Sequence, residues 1–139
     1  MRLVVDASVV AKWFNNEELS DKATELKDAY VDGRLELAAP IQIIYEVGNT
    51  IWKNPQLTEK DSAEAITSLL QMDLQLLPPN LQRVSRAMEL ARSNGITFYD
   101  ASYLQAAEEL KTTLLSTDDK QIAAGKGTIK ILHLREVKL

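Results

Sequence analysis

The chain contains no cysteine and a single histidine, His133. The lack of cysteine excludes disulfide bonds, thiol catalysis and cysteine-ligated zinc or iron–sulfur sites. One histidine excludes a metal site built from several histidines. No apolar run approaches the roughly 18 residues of a membrane span, and the first residues, MRLVVDASVV, are too short and too early-charged for a signal peptide. We therefore expect a cytoplasmic protein with no membrane partner.

The length and charge of the chain are those of one ordinary domain. With 139 residues, of which 45% are hydrophobic, we expect one domain over residues 1–139. The net charge of −4 is local, because residues 15–36 hold seven acids against three bases and the remaining chain is balanced. An overall negative charge therefore does not exclude a nucleic-acid partner.

Short apolar runs alternate with helical patterns along the chain. This alternation favours an α/β sandwich around a mainly parallel sheet. Strands are predicted at 3–5, 35–38, 74–77, 113–115 and 129–134, and helices at 7–14, 19–31, 40–52, 58–72, 81–94, 97–110 and 122–124. The helix at 40–52 is predicted to open at Pro40, a residue that suits a first helical position.

Acidic residues follow two of the predicted strands. Asp6 comes directly after Leu3-Val4-Val5, and Asp118 and Asp119 follow the strand that contains Leu114 and Leu115. Ligand sites of open parallel sheets lie beyond the carboxyl ends of their strands. Taken singly, each of these acids is better explained as a helix cap.

Asp100 shares the apolar stripe of its helix with Tyr103, Leu104 and Ala107. A buried carboxylate costs several kcal/mol unless it is paired, hydrogen-bonded or metal-bound. A capping box with Thr97 explains the position equally well, and both explanations can hold at once.

Glu46 gains no support from periodicity. The apolar stripe predicted for its helix consists of Ile41, Ile44, Tyr45, Gly48, Ile51 and Trp52. Glu46 points away from that stripe, so the pattern alone indicates a solvated glutamate.

If Asp6, Asp100 and Asp118 or Asp119 converge, their mutual repulsion makes a metal-free cluster costly. A divalent cation relieves that repulsion, and an all-oxygen ligand set selects Mg²⁺ or Mn²⁺. Such a metal would polarise a phosphodiester and activate a bound water.

Four segments together resemble the PIN domain family, and specifically the VapC-type ribonuclease toxins of toxin–antitoxin pairs. The segments are LVVDASVVAKWF, APIQIIYEVGNTI, FYDASYLQAA and LLSTDDKQI. The resemblance implies catalytic acids at Asp6, Glu46, Asp100 and Asp119, with Asp118 as the neighbouring alternative to Asp119. It implies that Asp6 and Asp100 are the primary metal ligands and that Ser8 and Thr117 orient the carboxylates.

The resemblance also implies a PIN-like three-layer α/β/α sandwich and Mg²⁺- or Mn²⁺-dependent endonucleolytic cleavage of RNA. The partners implied are the RNA substrate, a cognate antitoxin protein and a second copy of the chain in a homodimer. Three arginines of one predicted helix are candidates for phosphate contacts, although a solvated helix face explains them better; they are Arg83, Arg86 and Arg92.

Other functions fit the sequence less well. A receiver domain needs a mid-chain phosphoacceptor aspartate, and a dehalogenase-type phosphatase needs a second aspartate where Ser8 stands. A housekeeping PIN ribonuclease and a PIN-like domain that binds RNA or protein without cutting remain as alternatives.

Overall fold

The computed structural model describes residues 1–127 and 129–139. Its strands are Arg2–Val5 (β1), Glu36–Pro40 (β2), Gln75–Leu77 (β3), Thr113–Ser116 (β4) and Ile131–His133 (β5). Within the described residues they form one five-stranded sheet of order β3-β2-β1-β4-β5, and all four pairings are parallel. The predicted α/β architecture with a parallel central sheet is confirmed.

Seven helices accompany the sheet in the same part of the chain. They are Ala7–Val10 (α1), Ser20–Val31 (α2), Ile43–Lys53 (α3), Glu59–Gln71 (α4), Leu81–Asn94 (α5), Phe98–Leu110 (α6) and Asp119–Gly125 (α7). Two 3₁₀ turns follow α1 and β5, at Ala11–Trp13 and Leu134–Glu136. Among the residues described, no helix has the length and apolar content needed to cross a membrane.

The two central strands carry the core. Val4 and Val5 of β1 and Leu114 and Leu115 of β4 are fully buried. A parallel strand covered by helices on both faces becomes a continuous apolar run rather than an alternating one. This explains why the middle of each of these strands is a run of apolar residues in the sequence.

The prediction that Pro40 opens a helix is wrong. Pro40 is the last residue of β2, where it pairs with Leu77, and α3 begins at Ile43. Successive strand N–H groups point to opposite neighbours, and Ile41 donates to the Leu77 carbonyl at 3.0 Å. The nitrogen of Pro40 therefore faces β1, beyond the last β1–β2 register pair, Val4 and Ala38. Proline has no N–H to donate, so the β1–β2 pairing does not continue past that pair.

The order of the strands decides where the acids lie. Because β1 and β4 are neighbours at the centre of the sheet, their carboxyl ends lie side by side. Asp6 follows β1 and Thr117 follows β4, and the main-chain N–H of Asp6 donates to the Leu115 carbonyl at 3.2 Å. The candidate site is built on this edge.

Candidate active site

Asp6 is a buried carboxylate, 4% exposed, held by several donors. Ser8 Oγ donates to Asp6 Oδ1 at 2.5 Å and Ser116 Oγ donates to Asp6 Oδ2 at 2.5 Å. The carboxylate also accepts from the Val9 N–H at 3.3 Å and so caps α1, as the simpler interpretation of the sequence expected. Burial raises the pKa of Asp6 to about 6, although the hydrogen bonds from Ser116 and Ser8 counteract that rise.

The hydroxyl that reaches Asp6 from the end of β4 belongs to Ser116, which the sequence analysis did not single out. Ser116 Oγ also accepts from the Asp118 N–H at 2.9 Å. Thr117 contributes its main-chain N–H, which donates to Ser8 Oγ at 3.1 Å. Ser116 interrupts the apolar run of β4 at its carboxyl end. A serine directly after two apolar strand residues is the sequence signal that could have indicated a site residue here.

Glu46 is half-buried, and its interpretation as a solvated glutamate is wrong. Tyr45 and Trp52, members of the stripe predicted to be buried, are 79% and 75% exposed. The buried face of α3 consists of Ile43, Val47 and Ile51. Glu46 stands three residues after Ile43, at the border of that face. The sequence of α3 is compatible with two apolar stripes. The core covers the stripe without aromatic residues and leaves Tyr45 and Trp52 exposed.

The side chain of Tyr103 donates to the Glu46 carboxylate. Its hydroxyl, on α6, is bonded to Glu46 Oε2. Burial raises the pKa of Glu46, the side chains of Tyr103 and Gln42 oppose the rise, and the charge of Asp100 adds to it. Glu46 and Asp100 are therefore close enough for their charges to interact.

Asp100 lies in the first turn of α6, at the rim of the same edge. Its N–H donates to Thr97 Oγ1 at 3.0 Å, so Thr97 caps the helix. Burial raises the pKa of Asp100, and the charge of Asp118 raises it further. The Thr97 cap is present, with Asp100 at the third helical position, as one interpretation of the sequence expected.

The two adjacent acids after β4 have different surroundings. Asp118 caps α7, accepting from the Lys120 N–H at 2.9 Å, and its charge acts on Asp100. Asp119 is exposed in a polar groove whose lining includes Lys12, Thr117 and Arg135. Of these two acids, Asp118 is the one whose charge acts on Asp100.

The donor set fits a hydrated magnesium or manganese ion better than a preformed cage. Over residues 1–127 and 129–139, no three Asp, Glu or His side chains stand close enough together to form a metal site by themselves. Mg²⁺ dehydrates reluctantly and is commonly held by one or two carboxylates with several waters. The carboxylates of this site interact electrostatically but do not touch, which suits a hydrated ion. All the ligand atoms that they offer are oxygen, as Mg²⁺ and Mn²⁺ prefer.

Two of the three arginines considered for phosphate contacts are engaged within the fold. Arg83 binds both carboxylate oxygens of Glu109 at 2.9 Å, and Arg86 binds those of Glu108 at 2.8 and 2.9 Å. These pairs join α5 to α6. Their acidic partners lie on a different helix, so the pattern of α5 alone could not reveal them.

Residues 3–127 match the sequence model of the family described as the PIN domain. The chain belongs to the PIN domain family. Among its relatives is the ribonuclease VapC3 of Pyrobaculum aerophilum, which is 35% identical over 88% of this chain and 93% of its own length. The exonuclease VapC9 of the same organism is 36% identical over 75% of this chain and 78% of its own length.

The fold is shared with solved structures of toxin–antitoxin systems. One of them, described as a toxin–antitoxin complex from Klebsiella pneumoniae, superposes with a TM-score of 0.68. The match covers 97% of this chain and 99% of that one at 12% identity. At that identity the comparison bears on the fold, and it agrees with the predicted PIN-like α/β/α sandwich.

Proposed function

We propose that this protein is a metal-dependent endoribonuclease and the toxin of a toxin–antitoxin pair. The observation that carries the proposal is the buried Asp6 carboxylate, held by Ser8 and Ser116 beside Glu46 and Asp100 at one edge of the sheet. The hydrogen bonds to Asp6 offset only part of the cost of its burial, since its pKa is still raised, and a bound cation would supply further compensation. The names of the two relatives, a ribonuclease and an exonuclease, support nuclease chemistry.

In the proposed reaction, Asp6 and Asp100 would hold a divalent metal ion, which when bound would supply polarisation of the phosphodiester and a lower pKa of the attacking water. Ser8 and Ser116 hold the Asp6 carboxylate in a fixed orientation. Glu46 accepts the proton of the water, a role favoured by its raised pKa, since a general base works best when its pKa lies nearer to neutrality.

A fourth acid completes the proposed site. The family resemblance points to Asp119, whereas the effect on Asp100 favours Asp118. Asparagine caps a helix as well as aspartate does, so Asp118→Asn removes the charge and keeps the cap of α7. We expect Asp118→Asn to reduce cleavage more than Asp119→Asn, and the reverse order would restore Asp119 as the fourth acid.

The central test is RNA cleavage by the purified protein with Mg²⁺ or Mn²⁺ and with chelator. We expect cleavage that chelator abolishes and that Asp6→Asn or Asp100→Asn reduces by at least about 100-fold, since each removes a metal ligand. Asp21→Asn, an exposed acid of α2, is the matched control. Equal cleavage by wild type and both site variants would indicate a contaminating nuclease and contradict the proposal. A folded wild type that binds RNA without cutting it would favour a PIN-like binding domain.

We further propose a homodimer and a cognate antitoxin as partners. Leu81 and Met88 of α5 are 80% and 50% exposed, and Val84 and Phe98 extend this apolar surface. A contiguous exposed apolar surface of this kind supports a protein interface. Co-purification with a small DNA-binding protein encoded beside this gene would favour a toxin over a housekeeping ribonuclease. A cytoplasmic location stays a prediction from the sequence.

A further inference from the structure

Tyr103 lies at the edge of the sheet that carries Asp6, Glu46 and Asp100, which we call the acidic edge. Its side chain does not reach the protein surface. It stands one helical turn after Asp100 in α6 and is 2% exposed. Its hydroxyl donates to Glu46 Oε2, although Glu46 belongs to α3. The side chain is too buried to meet an RNA substrate, so any effect on the reaction passes through its neighbours.

The Tyr103 hydroxyl links two of the elements that carry the proposed acids. It is attached to α6, the helix of Asp100, and donates to Glu46 of α3. The charge of Asp6, which precedes α1, acts on the same hydroxyl. One hydroxyl therefore joins α3 to α6 within reach of the Asp6 charge.

The surroundings keep this hydroxyl protonated. Burial raises the pKa of Tyr103, and the charges of Glu46 and Asp6 raise it further. The hydroxyl therefore keeps its proton at neutral pH and always donates to Glu46. This hydrogen bond stabilises one orientation of the Glu46 carboxylate.

Glu46 needs such a donor because the neighbouring charge of Asp100 repels it. A free glutamate beside another carboxylate would rotate toward solvent. The Gln42 side chain also favours the Glu46 carboxylate, but its Nε2 donates to the Tyr99 carbonyl at 2.9 Å, which links α3 to the start of α6. Tyr103 is the deeply buried one of these two side chains and has less freedom to move.

We propose that Tyr103 is a positioning residue. Its hydrogen bond holds the Glu46 carboxylate in a fixed position relative to Asp6 and Asp100. The role rests on the proposed nuclease function, because Glu46 is given its task there. Partners that orient the groups of a metal site typically contribute 10–100-fold to activity or metal affinity.

The first test compares Tyr103→Phe with Tyr30→Phe in RNA cleavage. Tyr30 is the matched control, since its hydroxyl donates to the Met72 and Asp73 carbonyls, outside the acidic edge. We expect Tyr103→Phe to lower kcat by about 10–100-fold and to change KM for RNA by less than about threefold. Tyr30→Phe should leave both constants unchanged. Wild-type kcat in Tyr103→Phe would overturn the proposal.

A double variant separates positioning from general loss of packing. If Tyr103 acts through Glu46, Tyr103→Phe combined with Glu46→Gln should cleave no more slowly than Glu46→Gln alone. Multiplied losses in the double variant would show that Tyr103 acts independently of Glu46 and would overturn the proposal.

An NMR test of the Tyr103–Glu46 hydrogen bond does not depend on nuclease activity. Its first step uses wild type only. In metal-free wild type, NMR should show a slowly exchanging Tyr103 hydroxyl proton coupled through space to Glu46. The carboxyl-carbon resonance of Glu46 should move in Tyr103→Phe and stay in place in Tyr30→Phe. If wild type shows this contact but cuts no RNA, the proposed function fails while the positioning geometry stands. If wild type cuts RNA and the contact is missing, the positioning role fails alone.

Discussion

At the scale of single residues, Asp6 combines burial with three hydrogen bonds to its carboxylate. Its carboxylate has Ser8 on one oxygen and Ser116 on the other, yet burial still raises its pKa to about 6. The sequence pattern indicated an acid at a strand end. It did not indicate the second hydroxyl, because Ser116 is 110 positions away along the chain.

This raised pKa predicts a dependence of stability on pH. Because the folded pKa of Asp6 lies above the ordinary aspartate value of 3.8, the contribution of Asp6 to stability is complete below about pH 4 and is lost as the pH rises through about 6. In chelator, Asp6→Asn should therefore be more stable than wild type at neutral pH by up to about 3 kcal/mol. Urea unfolding of both proteins between about pH 4 and 7 measures the difference.

The pKa values of Glu46 and Asp100 are raised as well. Because both acids are present in wild type and in Asp6→Asn, the difference between the two proteins reports the contribution of Asp6 alone. The difference in the free energy of unfolding should vanish near pH 4, where the carboxyl is protonated in both states. A constant difference over the whole range would contradict the raised pKa of Asp6.

At the scale of elements, helix faces were the least predictable feature. The sequence of α3 allowed two apolar stripes, and α5 showed arginines without their partners. Arg83 and Arg86 are joined to Glu109 and Glu108 of α6. Periodicity describes one helix at a time, so it cannot say which face the sheet covers or which charges a neighbouring helix supplies.

The ion pairs between α5 and α6 lead to a prediction for Arg86. Because its guanidinium is engaged by Glu108 at a partly exposed site, Arg86→Ala should lower the free energy of unfolding by at most about 1 kcal/mol. RNA affinity and its dependence on salt should stay unchanged. Urea unfolding and RNA binding at several salt concentrations measure the two effects. A reduced salt slope would instead identify Arg86 as a phosphate contact.

At the scale of the whole molecule, the sheet brings distant acids together and α5 leaves an apolar surface exposed. Asp6 and Asp118 are separated by most of the chain, and they share an edge because β1 and β4 are neighbours. Leu81, Met88 and Phe98 lie outside that edge, where they are available to a second copy of the chain.

The proposed homodimer predicts a change of mass on substitution in this surface. Leu81→Lys should convert a dimer to a monomer, because a charged side chain in a buried apolar interface is costly. Light scattering during size-exclusion chromatography measures the mass of each protein. Val31→Lys, which alters an exposed apolar residue of α2, is the control. A wild-type monomer at micromolar concentration would contradict the dimer, and an unchanged mass of Leu81→Lys would exclude this surface as the interface.

The sequence by itself determined the kind of chemistry, the α/β alternation and most helix starts. Absence of cysteine and scarcity of histidine left oxygen ligands, and the caps at Thr58, Asn80 and Thr97 are local hydrogen bonds between near neighbours. Three features depended on tertiary structure: the end of β2 at Pro40, the buried face of α3, and the contacts of Ser116 and Tyr103. Each of them is decided by a residue on another element, and local patterns carry no information about which elements become neighbours.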